Sequence, residues 1–157
     1  MILTGGSLVL TIYRELQHGE FSQAMKIRLE VFVEEQQVPL EEEHDSHDLT
    51  ATHFGVFQGG SLVGTGRLMI QERIGTIGRV AILREFRGLG LGGELIQAMI
   101  EHAKVWGVEE LLLGAQVQAL GFYEKLGFRA EGPVFQDGGI DHRIMRYHVG
   151  GVKEMEK

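Results

Sequence analysis

The sequence predicts an α/β (α+β) domain in which a mixed sheet is flanked by helices, and three observations carry that expectation. Short β-branched or alternating segments recur from one end of the chain to the other. Two longer stretches repeat their apolar residues at helical spacing. Between residues 76 and 116 a strand, a helix and a second strand follow in order, which requires a right-handed crossover and makes those two strands parallel neighbours.

The elements follow in sequence order. "SLVLTIY" (7–13) alternates loosely and suits a first strand. Phe21, Met25, Leu29 and Phe32 share one face of a helix over roughly 20–32, and Pro39 prevents its continuation. The acidic stretch "VEEQQVPLEEEHDSHD" (33–48) then reads as a mobile loop. "HFGVF" (53–57) and "LVGTGRLMI" (62–70) form a hairpin, with Gly59 and Gly60 supplying the turn. "TIGRVAIL" (76–83) is the next strand. Residues 92–107 form a helix with Leu95, Met99, His102 and Trp106 on one face and Gly107 beyond its C-terminus. "ELLLGAQ" (110–116) has the apolar run of a buried strand. A short helix over 117–127, closed by Gly127, precedes a last strand over 139–149.

Composition narrows the function classes. The chain has 157 residues with no repeat and no linker, so residues 1–157 are expected to form one domain. It contains no cysteine, which excludes disulfides, thiolate catalysis and thiolate metal sites, and fits a cytoplasmic location. No apolar run approaches the roughly 18–20 residues of a membrane helix, and "MILTGGSLVLTI" lacks the features of a signal peptide. A net charge of -7 argues against nucleic acid as partner and mildly favours a cationic small molecule.

The strongest local signal is "REFRGLGLGGEL" (84–95), which lies between a strand and a helix. Gly88, Gly90 and Gly92 permit close backbone approach, and the unpaired N–H groups at a helix start attract an anion such as a diphosphate. The bland reading is a glycine-rich turn without a ligand. Gly88–Gly93 also satisfies the dinucleotide fingerprint G-x-G-x-x-G. However, Glu109 and Glu110 fall at the start of the following strand rather than its far end, and several elements precede the loop. A P-loop is excluded because no Gly-Lys-Ser/Thr follows.

"RGLGLG" resembles the Arg/Gln-x-x-Gly-x-Gly/Ala signature of the GNAT family of acyl-CoA-dependent N-acetyltransferases. "RVAIL" is similar to the strand before that signature, and "AQVQALGFYEKLGF" to a later family segment; the resemblance spans about 53–148. "RLEVFVEEQQVP" and "GIDHRIM" resemble the ElaA/YjcF-like bacterial branch. The resemblance implies the GNAT fold, a mostly antiparallel mixed sheet whose parallel βαβ unit forms the acyl-CoA cleft. It implies acetyl-CoA as cosubstrate, an amine acceptor and no metal. In the family the strand matching Val80, Ala81 and Ile82 offers free backbone to pantetheine. There, backbone amides of the segment matching Gly88, Leu89, Gly90, Leu91, Gly92 and Gly93 hold the pyrophosphate. Arg87 either contacts phosphate or pairs with Glu85 on the surface.

The same resemblance makes Tyr123 the acid for the departing CoA sulfur, against the reading of a core aromatic beside Phe122 and Phe128. Gln116 stands where the family often has asparagine, and its amide is a candidate for the pantetheine or the acceptor. A backbone N–H of residues 80–82 can polarise the thioester carbonyl. The base is a gap, because neither "TIGRVAI" nor "LLLGAQ" carries a carboxylate. The acidic stretch covers the acceptor side in this family, so Glu34 and Glu43 are taken as base candidates from a set that also holds Glu35, Glu41, Glu42, Asp45 and Asp48. His44, Asp45, His47 and Asp48 have spacing that a divalent ion would accept, although no distant ligand joins them. His142 is a further acceptor-side candidate, while His53 and His102 read as structural. A non-catalytic CoA-binding module on the same fold is the alternative function, and a nucleotide-dependent oxidoreductase a third. Exposed sheet edges leave room for a homodimer.

Overall fold

The computed structural model describes residues 2–4 and 7–150. Strands β1 (Ile2–Thr4) and β2 (Ser7–Val9) pair with each other as a small antiparallel ladder. The expected first strand is thus divided, with Leu10 as the break before β3 (Thr11–Glu15). β3 begins a seven-stranded sheet that continues with β4 (Thr52–Gln58), β5 (Ser61–Gln71) and β6 (Ile74–Ile82). It is completed by β7 (Glu110–Gln116), β8 (Arg129–Asp137) and β9 (Ile140–His148), in the spatial order β3-β4-β5-β6-β7-β9-β8. The β6/β7 pair is parallel and the other pairs are antiparallel.

β8 has no counterpart in the sequence reading. It lies at the sheet edge, so most of its side chains face solvent and no apolar alternation marks it. Pro133 sits inside the register shift between Glu131 and Phe135, where a missing N–H costs no ladder bond.

Helix α3 (Leu91–Val105) makes the crossover from β6 to β7 and buries Leu91, Leu95, Ile96, Met99, Ile100 and Ala103 in the main core. Its buried face is turned from the expected one. His102 meets Phe54 edge-on at the margin, and Trp106 is 68% exposed. The helix lies close to the sheet, since a Cβ on Gly66 of β5 would come within 3.0 Å of the Met99 sulfur.

The first helix also differs from its expected form. α1 (Phe21–Arg28) passes without a break into a wider π-helical segment, Leu29–Glu35. Its buried face is Ala24, Ile27, Arg28 and Val31 rather than the Phe21, Met25, Leu29, Phe32 stripe. An arginine therefore stands on the inward face of a helix, 1% exposed. Its partners come from the acidic stretch, which is not a loop throughout. It contains a short helix α2 (Leu40–Glu43) and a 3₁₀ turn Ser46–Leu49, whose N-cap Asp45 closes a reciprocal capping box with Asp48. The remaining helical elements are two 3₁₀ turns, Arg84–Phe86 and Val117–Ala119, and α4 (Leu120–Lys125). Among the described residues, no helix is long and apolar enough to cross a membrane.

Candidate functional site

The cleft begins where two parallel strands separate. β6 and β7 pair only from Ile74–Glu110 to Ile77–Leu113, while β6 stays bonded to β5 as far as Ile82. A bulge causes the divergence: the register between β5 and β6 shifts around Thr65 to Arg67, and Arg79 takes a φ of 51°. Beyond Ile77, one backbone edge of β6 therefore faces the cleft without a strand partner. Val80 lines it, whereas Ala81 points away and packs on Ile27 and Val31.

The glycine loop lies at the far end of that free edge. Gly88 and Gly90 both have a φ of 82°, a conformation that costs other residues backbone strain. Gly90 is the N-cap of α3 and provides no side-chain cap. By helix geometry, the N–H groups of Leu91, Gly92 and Gly93 have no partner within the helix and carry its positive end. Leu91 itself is buried in the core, so its contribution to the loop is its backbone. Arg87 does not pair with Glu85. Its Nε donates to the Ile82 carbonyl at 2.8 Å and its Nη2 to Glu35 at 2.6 Å, with Arg84 on the other oxygen of Glu35. The π-helical segment and the start of the glycine loop are thus tied together by one carboxylate.

Between β6, β7 and the π-helical segment is a cavity of about 410 Å³. Tyr123 reaches it from α4, Gln116 from the end of β7 and His142 from β9. Tyr123 is half-buried, with its ring edge-on to Phe122 and Phe128, and burial raises its phenol above the ordinary value. No hydrogen bond engages its hydroxyl among the described residues. Gln116 donates to Gln36 at 2.9 Å and accepts from Gln118 at 2.6 Å. His142, 9% exposed, has Nδ1 2.7 Å from the Ile140 carbonyl.

The acidic stretch meets this cavity differently from the expectation. Glu34 is exposed and is not among the cavity's lining residues. Glu43 lines it but is 2% exposed and held by Arg28 at 2.5 Å, with Arg79 at 3.3 Å. Burial raises the Glu43 carboxyl against the pull of those arginines. Asp48 accepts from Arg28 at 2.8 Å and from Arg67 at 2.9 Å. Burial alone would raise its pKa, but the two guanidinium groups outweigh it and hold the carboxyl well below the usual range. Asp45 pairs with Arg67 at 2.7 Å and with Arg79 at 3.3 Å. Three carboxylates are thus matched by three arginines, and Asp45 and Asp48, two of the four residues whose spacing a divalent ion would accept, are held in these ion pairs. His53 fits its structural reading, packed on Phe21 with Nε2 3.0 Å from the Asp48 carbonyl.

Arg28, Arg67, Arg79 and Gln36 are the residues the sequence reading missed, while Glu35, one of its base candidates, holds Arg84 and Arg87 instead. One signal existed: Arg28 falls on the same helical stripe as Ile27 and Val31, upstream of a run of acids.

Residues 17–149 match the family model described as an acetyltransferase (GNAT) domain. A Bacillus subtilis protein named as the uncharacterized N-acetyltransferase YjcF is 37% identical over 127 residues, covering 80% of this chain and 91% of that protein. The solved acyl-CoA N-acyltransferase of Pseudomonas aeruginosa is 30% identical with a TM-score of 0.78, covering 89% of this chain and 99% of that one. Escherichia coli ElaA is similar in structure, with 25% identity, a TM-score of 0.78, and coverage of 90% and 100%.

Proposed function

The chain belongs to the GNAT acetyltransferase family, and from that premise we propose that it moves an acetyl group from acetyl-CoA directly to an amine. The observation that carries this reading is the backbone edge of β6, free of β7 beyond Ile77 and ending at the unpaired N-terminus of α3. An extended pantetheine amide can pair with that edge as an added strand, and the pyrophosphate fits the N–H groups of Gly88 to Gly93.

The chemistry follows from what lines the cavity. The chain has no cysteine to carry an acyl intermediate, which supports direct transfer between two bound substrates. A backbone N–H of Val80, Ala81 or Ile82 polarises the thioester carbonyl. Tyr123 supplies the proton for the departing thiolate: burial keeps its phenol protonated at neutral pH, and its hydroxyl is not engaged elsewhere. Gln116, bridged between Gln36 and Gln118, orients the groups beside it. Thiol release from acetyl-CoA on adding primary amines tests the proposal. Release above the uncatalysed rate with at least one amine is expected, and binding of acetyl-CoA without transfer to any amine would identify a CoA-sensing module instead.

A further inference from the structure

The family's reaction needs the acceptor amine in its neutral form, and the parts of β6 and β7 that line the cavity carry no carboxylate to deprotonate it. We propose that His142 is that base, a role that rests on the transferase reading above. Its side chain comes from β9, directly opposite Gln116 in the β7–β9 register, and lines the same cavity as Tyr123. The ring is packed against Phe135 with centroids 5.8 Å apart, and its Nδ1 lies 2.7 Å from the Ile140 carbonyl.

That short contact fixes the tautomer. A carbonyl oxygen only accepts, so Nδ1 carries the hydrogen and the neutral ring keeps its lone pair on Nε2. Nε2 has no hydrogen-bond partner among the described residues. The charged or titratable groups that share the cavity with His142 are Glu42, Glu43, Arg67, Arg79, Tyr123 and Asp137. Glu43 is bound by arginine, and Glu42 and Asp137 are exposed to solvent rather than enclosed. Among these groups, only the imidazole combines enclosure with a nitrogen lone pair that no described residue engages.

The step balances. His142 Nε2 takes one proton from the ammonium form of the acceptor, and the freed nitrogen lone pair forms the N–C bond to the acetyl carbonyl. The C–S bond breaks, and Tyr123 protonates the thiolate. The second nitrogen proton returns to Tyr123 through water, and His142 later loses its proton to solvent. The net products are an amide, free CoA and one proton.

His142→Asn is the informative variant, because its side-chain amide keeps a donor for the Ile140 carbonyl while removing Nε2. With ethylamine, which is protonated at neutral pH, CoA release is expected to fall about 100-fold, within the range for loss of a general base. With 2,2,2-trifluoroethylamine, which is already neutral, the loss is expected to be within about threefold. Melting temperature and acetyl-CoA affinity should match the parent protein. Equal losses with both amines would overturn the base role and leave His142 as a packing residue. A parent protein that binds acetyl-CoA but transfers to no amine would defeat the transferase reading itself, and the base with it. Nitrogen NMR of histidine-labelled parent protein gives an arm free of turnover: a hydrogen on Nδ1 of His142 is expected, and one on Nε2 of the neutral ring overturns the proposal.

Discussion

The two walls of the cleft are built in opposite ways. The wall proposed to hold the cofactor is almost entirely backbone: the free edge of β6, glycines at positive φ and the open N-terminus of α3. The wall proposed to meet the acceptor is side chains, with Arg28, Arg67 and Arg79 locked to Glu43, Asp45 and Asp48. Backbone recognition tolerates changes in side chain but not in φ. A buried ion network tolerates little change in any one member. On the proposed function, removing one member of the ion network should cost mainly stability, and changing φ in the glycine loop should cost mainly cofactor affinity.

The largest expected effect comes from dividing the ion network. Arg28→Met leaves Glu43 and Asp48 as buried charges without their main partner, and should cost about 3–5 kcal/mol in urea unfolding. Acetyl-CoA affinity of the folded protein should stay within about twofold of the parent. A large loss of affinity with little loss of stability would break the comparison.

Tyr123→Phe comes next and touches neither wall. Turnover should fall about 100-fold with the acetyl-CoA dissociation constant unchanged, since only the proton for the thiolate is removed. Unaltered turnover would assign the tyrosine to packing with Phe122 and Phe128.

Gly90→Ala probes the backbone wall. No atom lies within 4 Å of a Cβ built there, so the cost is the conformation alone, about 1–2 kcal/mol. Thermal melts should register that cost, and calorimetry should show acetyl-CoA binding weakened several-fold as the loop relaxes.

Glu35→Gln, at the seam between the walls, should have the smallest effect. The carboxylate is held below its usual pKa by Arg87 first, with Arg84 helping against its partial burial. Both arginines are well exposed, so stability should change by less than about 1 kcal/mol. Releasing Arg87 toward the phosphates should tighten acetyl-CoA binding about two- to threefold and steepen its salt dependence. An unchanged affinity would mean that Arg87 stays on the Ile82 carbonyl.

The same contrast explains what the sequence revealed. The backbone wall was legible because glycine spacing between a strand and a helix reports directly on φ and on free N–H groups. The strands and helices that carry it also fell near their expected bounds. β8 was hidden because an edge strand with Pro133 in a bulge has neither alternation nor an apolar run. The acceptor wall was illegible for another reason. Seven carboxylates within 33–48 are chemically alike in sequence, and only the fold decides that Glu43 and Asp48 turn inward while Glu34 faces water. Arg28, Arg67 and Arg79 lie far apart in the chain, so no local spacing announces the network.

The central claim is that the β6 edge and the Gly88–Gly93 loop together hold an acyl-CoA. Calorimetric titration of acetyl-CoA into the protein tests it most directly, with NAD as the competing cofactor. One site per chain, displaced by free CoA and untouched by NAD, is the predicted result. Absence of both heat and a thermal shift at saturating acetyl-CoA, or displacement by NAD, would contradict it.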